Sequence, residues 1–145
     1  MMGVSIISPV LPSYGLSFGV SLALVGLLIS AFAVARVLLD IPAGMFGARY
    51  GMRRLMLLGL ATIAISSLLA GVAISYPMLL AARVFEGIGS ALYTTTSITA
   101  VSQLAPPASR GAHLSFYLSM FLVGTSFGPA VGGFVSLHFG LGAPF

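Results

Sequence analysis

The stretch Gly47–Arg54, GARYGMRR, holds three of the six basic residues of the chain, and all six are arginines. Apolar sequence lies on both sides of it, since no charge occurs from residue 15 to 35 or from residue 55 to 74. A helix needs about 20 apolar residues to cross the hydrocarbon core of a bilayer. Both flanking segments reach that length, so the pattern predicts two membrane helices joined by a short basic loop.

The composition of the whole chain also favours a membrane protein. Only 6% of the 145 residues are charged, whereas a soluble domain carries about 25%. So few charges cannot cover the surface of a water-soluble fold. The arginines form no patch with interleaved aromatic residues, so the net charge of +4 does not indicate a nucleic-acid partner. The sequence has no cysteine, which excludes a disulfide framework and thiol chemistry.

The predicted fold is all-α, a polytopic membrane helix bundle, because backbone groups in lipid must be paired within the segment. The first apolar segment, of thirteen residues, rises only about 20 Å and is too short for a core of roughly 30 Å. We therefore expect a fragment that begins inside one helix and stops as another begins. The predicted order is a helix 1 remnant at 1–13, helix 2 at about 18–47, helix 3 at about 54–75, helix 4 at about 77–104, helix 5 at about 111–138 and the start of helix 6 from about 142.

The distribution of arginines between the connections predicts the orientation. Cytoplasmic loops carry the excess of Lys and Arg. The loops at 47–54 and 105–112 contain arginine, and the connections at 12–21 and 75–77 contain none. The two basic loops are therefore expected to be cytoplasmic, in a multi-pass protein of the plasma (inner) membrane.

Four charged residues fall inside predicted spans, where a charge is expensive and is usually functional. Arg36 and Asp40 are four residues apart and can pair with each other; Asp40 lies near the cytoplasmic face, where a structural role and a functional one are both open. Glu86 lies close to the midplane, three residues after Arg83, and its side chain is too short to reach the interface. It either faces a cavity or partner, or is a packed, protonated structural residue.

A polar stripe runs along predicted helix 4. Its spacing of 4, 3, 4 and 3 residues places its members on one face of a helix. Such a stripe can be helix-packing glue, but it also holds a charge, so we interpret it as the wall of a water-filled path. The stripe comprises Arg83, Gly87, Ser90, Thr94 and Ser97.

Predicted helix 5 contains the stretch GTSFGPAVGG, residues 124–133. Gly124, Gly128 and Gly132 recur every four residues and form a small-residue face that another helix can approach closely. Pro129 removes a backbone hydrogen bond and kinks a helix. The stretch is therefore either a tight helix contact or a hinge at a moving interface.

These motifs resemble those of the major facilitator superfamily, over the whole chain. The family signature after helix 2 reads G-x-L-[AG]-D-R-x-G-[RK]-[RK], and this chain departs from it with Phe46, Ala48 and Met52. The helix 4 and helix 5 signatures are also present. The matching residues are Gly44, Gly47, Arg49, Gly51, Arg53 and Arg54, then Arg83, Glu86, Gly87 and Gly89, and then Gly124, Gly128, Pro129, Gly132 and Gly133.

The resemblance implies the N-terminal six-helix half of a proton-coupled antiporter that exports small amphipathic molecules by alternating access. It implies a cytoplasmic gate, a coupling or cavity group on helix 4 and a helix 5 hinge. It implies no metal and no cofactor beyond the proton gradient, and as partners the lipid bilayer, a small-molecule substrate and the C-terminal transporter half. The gate residues are Asp40, Gly44, Arg49, Gly51, Arg53 and Arg54, the coupling residues are Arg83, Glu86, Ser90 and Thr94, and the hinge is the helix 5 set named above.

Two alternatives remain open at this point. One is a transporter of the same fold that imports sugars or metabolites, and the other is a stand-alone four-helix membrane scaffold or assembly protein. An enzyme is not expected, because the sequence offers no nucleophile–base pair, metal-spaced ligands or phosphate loop.

Overall fold

A computed structural model describes residues 10–17 and 19–139, and every regular element in these ranges is helical. The prediction of an all-α fold is confirmed. Most of the predicted helix 1 remnant, and the predicted start of helix 6, lie outside the described residues. The described helices are α1 (Leu11–Leu16), α2 (Leu22–Tyr50), α3 (Met52–Gly71), α4 (Tyr76–Leu104), a 3₁₀ turn (Pro107–Ser109) and α5 (Arg110–Phe139).

The basic loop predicted at 47–54 is wrong as a loop, because helix α2 runs to Tyr50 and α3 begins at Met52. Gly51 alone separates them, at φ 93°. This left-handed region is accessible to glycine and costly for residues with a Cβ. The chain reverses in one residue, and the arginines lie on helix ends.

Helix α4 is the centre of the described bundle and packs between α2 and α3. Glycines make this close approach possible, because a Cβ at Gly87 would lie 2.5 Å from the carbonyl oxygen of Phe32 on α2. On the other side, a Cβ at Gly59 of α3 would lie 2.7 Å from the backbone nitrogen of Tyr93, and one at Gly89 would lie 2.8 Å from the oxygen of Gly59. The backbones of α3 and α4 are thus in direct contact.

Two tyrosines connect the helices at the end of the bundle opposite the turn at Gly51. The Tyr14 hydroxyl donates to the carbonyls of Ala70 and Ala73, at 3.2 and 3.3 Å, and so joins α1 to the end of α3. The Tyr76 hydroxyl donates to the carbonyl of Leu24 at 2.8 Å, which joins the start of α4 to the start of α2.

Three described helical segments are long and apolar enough to cross a membrane, namely Leu22–Gly47, Met52–Gly71 and Pro107–His138. The fourth predicted span, α4, is not among them on composition, although its 29 residues rise about 43 Å, longer than the bilayer core. Its polar residues lower its apolar content, and six of them are buried, namely Arg83, Glu86, Ser90, Thr94, Thr96 and Ser97. Large apolar side chains instead cover the outer faces of the bundle, as a bilayer requires.

Candidate functional site

The most buried charges of the described chain are an ion pair within α4. Arg83 Nη1 lies 3.0 Å from Glu86 Oε2, and the two side chains are 4% and 0% exposed. The residues are three apart, so they share one face of the helix and can meet without bending it. The sequence predicted that these two residues stand out, and the structure brings them into contact.

The pair leaves polar capacity unused. Among the described residues, Glu86 Oε1 and the Ser90 hydroxyl make no hydrogen bond, although both residues are fully buried. Ser90 lies one turn after Glu86 on the same face of α4. A buried polar atom without a partner is rare and costs free energy, so this carboxyl and hydroxyl leave polar groups available in the interior of the bundle.

The rest of the polar stripe lies inside packed helix contacts. Thr94 and Ser97 are both buried, and the Ser97 hydroxyl lies 2.6 Å from the hydroxyl of Tyr117 on α5. Most of the stripe therefore packs against neighbouring helices, and Ser97 near its end also lines a cavity between α3, α4 and α5.

Asp40 makes its best contact with α4 and not with its own helix. Its Oδ1 accepts a hydrogen bond of 2.8 Å from the Thr95 hydroxyl. The predicted pairing with Arg36 is present but loose, because Arg36 Nε and Asp40 Oδ2 are 3.9 Å apart. Asp40 thus ties the second half of α2 to α4.

Two glycines that match the helix 2 signature bring α2 close to adjacent threonines of α4. A Cβ at Gly44 would lie 3.7 Å from Thr95 Cγ2, and one at Gly47 would lie 3.2 Å from Thr96 Cγ2. Arg49 lies in the last turn of α2, and its guanidinium carbon is 5.7 Å from the ring centre of Tyr50. Arg53 and Arg54 follow in the first turn of α3.

We name the end of the bundle that carries Arg49, Arg53, Arg54 and Arg110 the arginine-rich end. A cavity of about 620 Å³, which we name the α3–α5 cavity, opens at this end. It is lined by the start of α3, by the last turns of α4 from Tyr93 onward, and by Tyr117 of α5. Its lining includes Arg53, Leu57, Tyr93, Ser97, Val101 and Tyr117.

The glycine motif of α5 lies wholly within the helix. Gly128 and Gly132 are buried one turn apart, and Gly124, Pro129 and Gly133 are half-buried. A Cβ at Gly133 would meet nothing within 4 Å. The motif therefore divides into a buried face and a looser one.

Sequence reasoning missed three residues that hold this site together: Gly59, Thr95 and Tyr117. Each contributes through a partner on another helix. The polar stripe of α4 is a spacing within one helix, so it does not predict where α3 and α5 lie. Thr95 lies between the stripe residues Thr94 and Ser97, but its partner Asp40 is 55 residues away.

Comparison with known proteins decides the family. A model of the Major Facilitator Superfamily matches residues 1–145. The chain belongs to this superfamily. The prediction made from the three motifs, and the assignment to a partial bundle of the superfamily fold, are confirmed.

Three relatives show what kind of member the chain is similar to. It is 28% identical over 145 residues to an uncharacterised MFS-type transporter of Methanocaldococcus jannaschii, covering all of this chain and 38% of the relative. It is 26% identical over 144 residues to Multidrug resistance protein 2 of Bacillus subtilis, covering 99% and 36%. It is 32% identical over 119 residues to the multidrug efflux pump LfrA of Mycolicibacterium smegmatis, covering 81% and 24%.

The chain thus spans roughly a quarter to two-fifths of the length of these superfamily members. Two of the three relatives are named as a transporter and an efflux pump, and none is named as an enzyme, which is consistent with the expectation for this chain. Superfamily membership and the apolar helices together make it a membrane-embedded protein.

Proposed function

We propose that the chain is part of a secondary transporter that exports small amphipathic molecules in exchange for protons. The observation that carries the proposal is the buried Arg83–Glu86 pair, 3.0 Å apart in the middle of α4. Ionisable residues deep in a membrane helix are costly and mark ion or substrate pathways. The names of two relatives, which are multidrug proteins, favour efflux of drug-like compounds.

In this proposal Glu86 takes up and releases the proton, and Arg83 stabilises its charged form. When Glu86 is protonated, Arg83 loses its counter-ion and the contact between α4 and its neighbours weakens. Ser90 and Thr94, on the same stripe, would face the substrate path once α4 is uncovered. The energy comes from the proton gradient, and no bound cofactor or metal takes part.

Alternating access rocks two halves of a transporter around a central site. We propose that this chain supplies helices of the N-terminal half and that a second half completes the path. The arginine-rich end faces the cytoplasm of a plasma-membrane protein, where its gate residues close the path from inside. The buried glycines of α5 permit the sliding contact between the halves.

The first test is to sequence the reading frame on both sides of residues 1–145. We expect an in-frame upstream extension that completes helix 1, and further membrane spans downstream. Stop codons close to Phe145, with a translation start at Met1, would overturn the two-half transporter and favour the small scaffold protein instead.

The second test measures exchange in proteoliposomes that contain the whole product of that frame. In vesicles with an acidic interior, an amphipathic cationic dye should accumulate inside while the pH gradient dissipates. Glu86→Gln should abolish the coupled flux. Thr62→Val is the matched control, because the exposed Thr62 hydroxyl only bonds the Leu58 carbonyl of its own helix. Gradient dissipation by sugars but not by the dye would replace efflux with metabolite transport, and the absence of any exchange would overturn the proposal.

A further inference from the structure

The arginines at one end of the bundle lack carboxylate partners in the sequence. The chain has two acidic residues, Asp40 and Glu86, against six arginines. Glu86 is paired with Arg83, and Asp40 is engaged by Thr95 and Arg36. No carboxylate side chain of these 145 residues is therefore left for the four arginines of the arginine-rich end.

The helix termini at this end do not offset the positive charge of the arginines, because the C-termini of α2 and α4 are matched by the N-termini of α3 and α5. Helices α3 and α5 both begin there, and neither has an acidic residue in its first turn. A helix N-terminus carries a partial positive charge that favours anions and disfavours cations. Arg53 and Arg54 stand in the first turn of α3, and Arg110 begins α5. The positive charge of the four arginines at this end therefore favours an anion that is not part of these 145 residues.

The α3–α5 cavity opens at this end of the bundle. Arg53 lines it, together with apolar side chains such as Leu57 and Val101. Tyr93 lies eleven residues before the end of α4, so the cavity reaches about 16 Å along the helix. That length matches about half of the roughly 30 Å hydrocarbon core of a bilayer.

The deep wall of the cavity presents mainly hydrocarbon. Three lining residues carry hydroxyls, namely Tyr93, Ser97 and Tyr117, and those of Ser97 and Tyr117, seven residues from the arginine-rich ends of their helices, bond to each other. Their hydrogen bond satisfies both groups within the wall, so the space beside them favours an apolar chain. A molecule that fits has one anionic end beside Arg53 and an apolar tail about one leaflet deep.

We propose that the α3–α5 cavity binds one anionic phospholipid, with its phosphate at Arg53 and an acyl chain between α3, α4 and α5. The proposal does not rest on the transport function. A lipophilic cation is disfavoured, because it would meet the like charge of Arg53 at the mouth of the cavity. Another helix of the same protein would fill the apolar space but would leave the charge of Arg53 at the mouth unless it brought an acid.

The experiment uses quenching of tryptophan by brominated lipids, since the chain has no tryptophan of its own. Leu57→Trp places the reporter in the cavity lining at a position 58% exposed, where the larger ring fits. Met45→Trp is the matched control, at a position 70% exposed and outside the cavity lining. Both positions lie six residues from the turn at Gly51, and Met45 also has an arginine, Arg49, one turn away.

The full 145-residue chain is placed in phosphatidylcholine vesicles with a minor fraction of brominated phosphatidylglycerol or brominated phosphatidylcholine. We expect the Leu57→Trp reporter to favour the anionic lipid about fivefold, the factor that one arginine near a membrane surface confers. Arg53→Gln should reduce this preference to that of the Met45→Trp control, and Arg53→Lys should retain it. Helix content by circular dichroism shows that each variant is folded.

Three results would overturn the proposal. Equal quenching by both lipids at Leu57→Trp would mean ordinary lipid contact. Quenching by neither lipid would mean that a protein segment occupies the cavity. An anionic preference that survives Arg53→Gln would place the lipid elsewhere.

Discussion

Asp40 on α2 accepts a hydrogen bond of 2.8 Å from the hydroxyl of Thr95 on α4, ten and nine residues before the ends of the two helices. The same contact holds Gly44 and Gly47 against Thr95 and Thr96. These two glycines of the helix 2 signature are thus part of a helix interface, to which the Asp40 carboxylate contributes one hydrogen bond. A change of either partner therefore tests how much this single bond contributes.

Thr95→Val should lower the free energy of unfolding by about 1 kcal/mol, a typical net value for one hydrogen bond. The carboxylate of Asp40 is 40% exposed, so water compensates part of the loss. Thr99→Val is the control, because the Thr99 hydroxyl bonds only the Thr95 carbonyl of its own helix. Reversible unfolding in mixed micelles measures both variants. Equal losses in the two would show that the contact with Asp40 contributes nothing of its own.

The close contact of α3 and α4 predicts that Gly59→Ala and Gly89→Ala are both destabilising. Each new methyl would lie under 3.0 Å from backbone atoms of the other helix, and overpacking costs about 1–3 kcal/mol. Gly26→Ala, with nothing within 4 Å of its Cβ, should instead stabilise α2 by about 0.5–1 kcal/mol. Thermal unfolding followed by circular dichroism separates the cases. If all three variants shift alike, the packing of α3 against α4 described above is wrong.

The sequence predicted the helices better than it predicted their contacts. Runs without charge between residues 15 and 35 and between 55 and 74 sufficed for α2 and α3, because the bilayer imposes a length on every span. The prediction of a loop at 47–54 was wrong. Helix propensity and apolar length do not indicate that the chain can reverse at a single residue, as it does at Gly51 with its φ of 93°. Helix 4 was predicted as a span although its polar residues give it a lower apolar content than its neighbours.

For the candidate site, spacing along one helix was informative and pairing between helices was not. Arg83 and Glu86 are three residues apart, so their contact follows from helical geometry alone. The bonds from Thr95 to Asp40 and from Ser97 to Tyr117 join residues 55 and 20 positions apart. They depend on how α2 and α5 lie against α4, and the spacing of residues along one helix does not determine that.

The Arg83–Glu86 pair yields a prediction about stability that is separate from transport. Removing one partner, as in Arg83→Met or Glu86→Leu, leaves the other charge buried and should cost about 3–5 kcal/mol. The double variant Arg83→Met with Glu86→Leu buries no charge, so it should be more stable than either single variant. A double-mutant cycle on unfolding free energies measures the coupling. Additive losses would contradict a direct ion pair.

The turn between α2 and α3 predicts that Gly51→Ala is poorly tolerated. Its φ of 93° lies in the left-handed half of backbone space, where a residue with a Cβ loses roughly 1–2 kcal/mol. Gly111→Ala is the matched control, since Gly111 lies in the first turn of α5 and its Cβ would meet nothing within 4 Å. Limited proteolysis at the arginine-rich end and thermal unfolding report the effect. Equal behaviour of the two variants would show that the turn tolerates a Cβ.

The departure from the gate signature gives the last prediction. The chain has Ala48 where the superfamily pattern has an acid and Met52 where it has a base, and the simultaneous loss of both is what the removal of one ion pair would leave. We predict that Ala48→Asp with Met52→Arg strengthens the closed gate and slows access to the arginine-rich end. Tyr50→Cys, the sole cysteine in an otherwise cysteine-free chain, would report this as slower maleimide labelling in the double variant. Ala48→Asp alone and Met52→Arg alone are the controls, because neither restores both members of the pair. The same labelling rate in all four proteins, with unchanged transport by the whole product of the reading frame, would show that these two positions take no part in closing the gate.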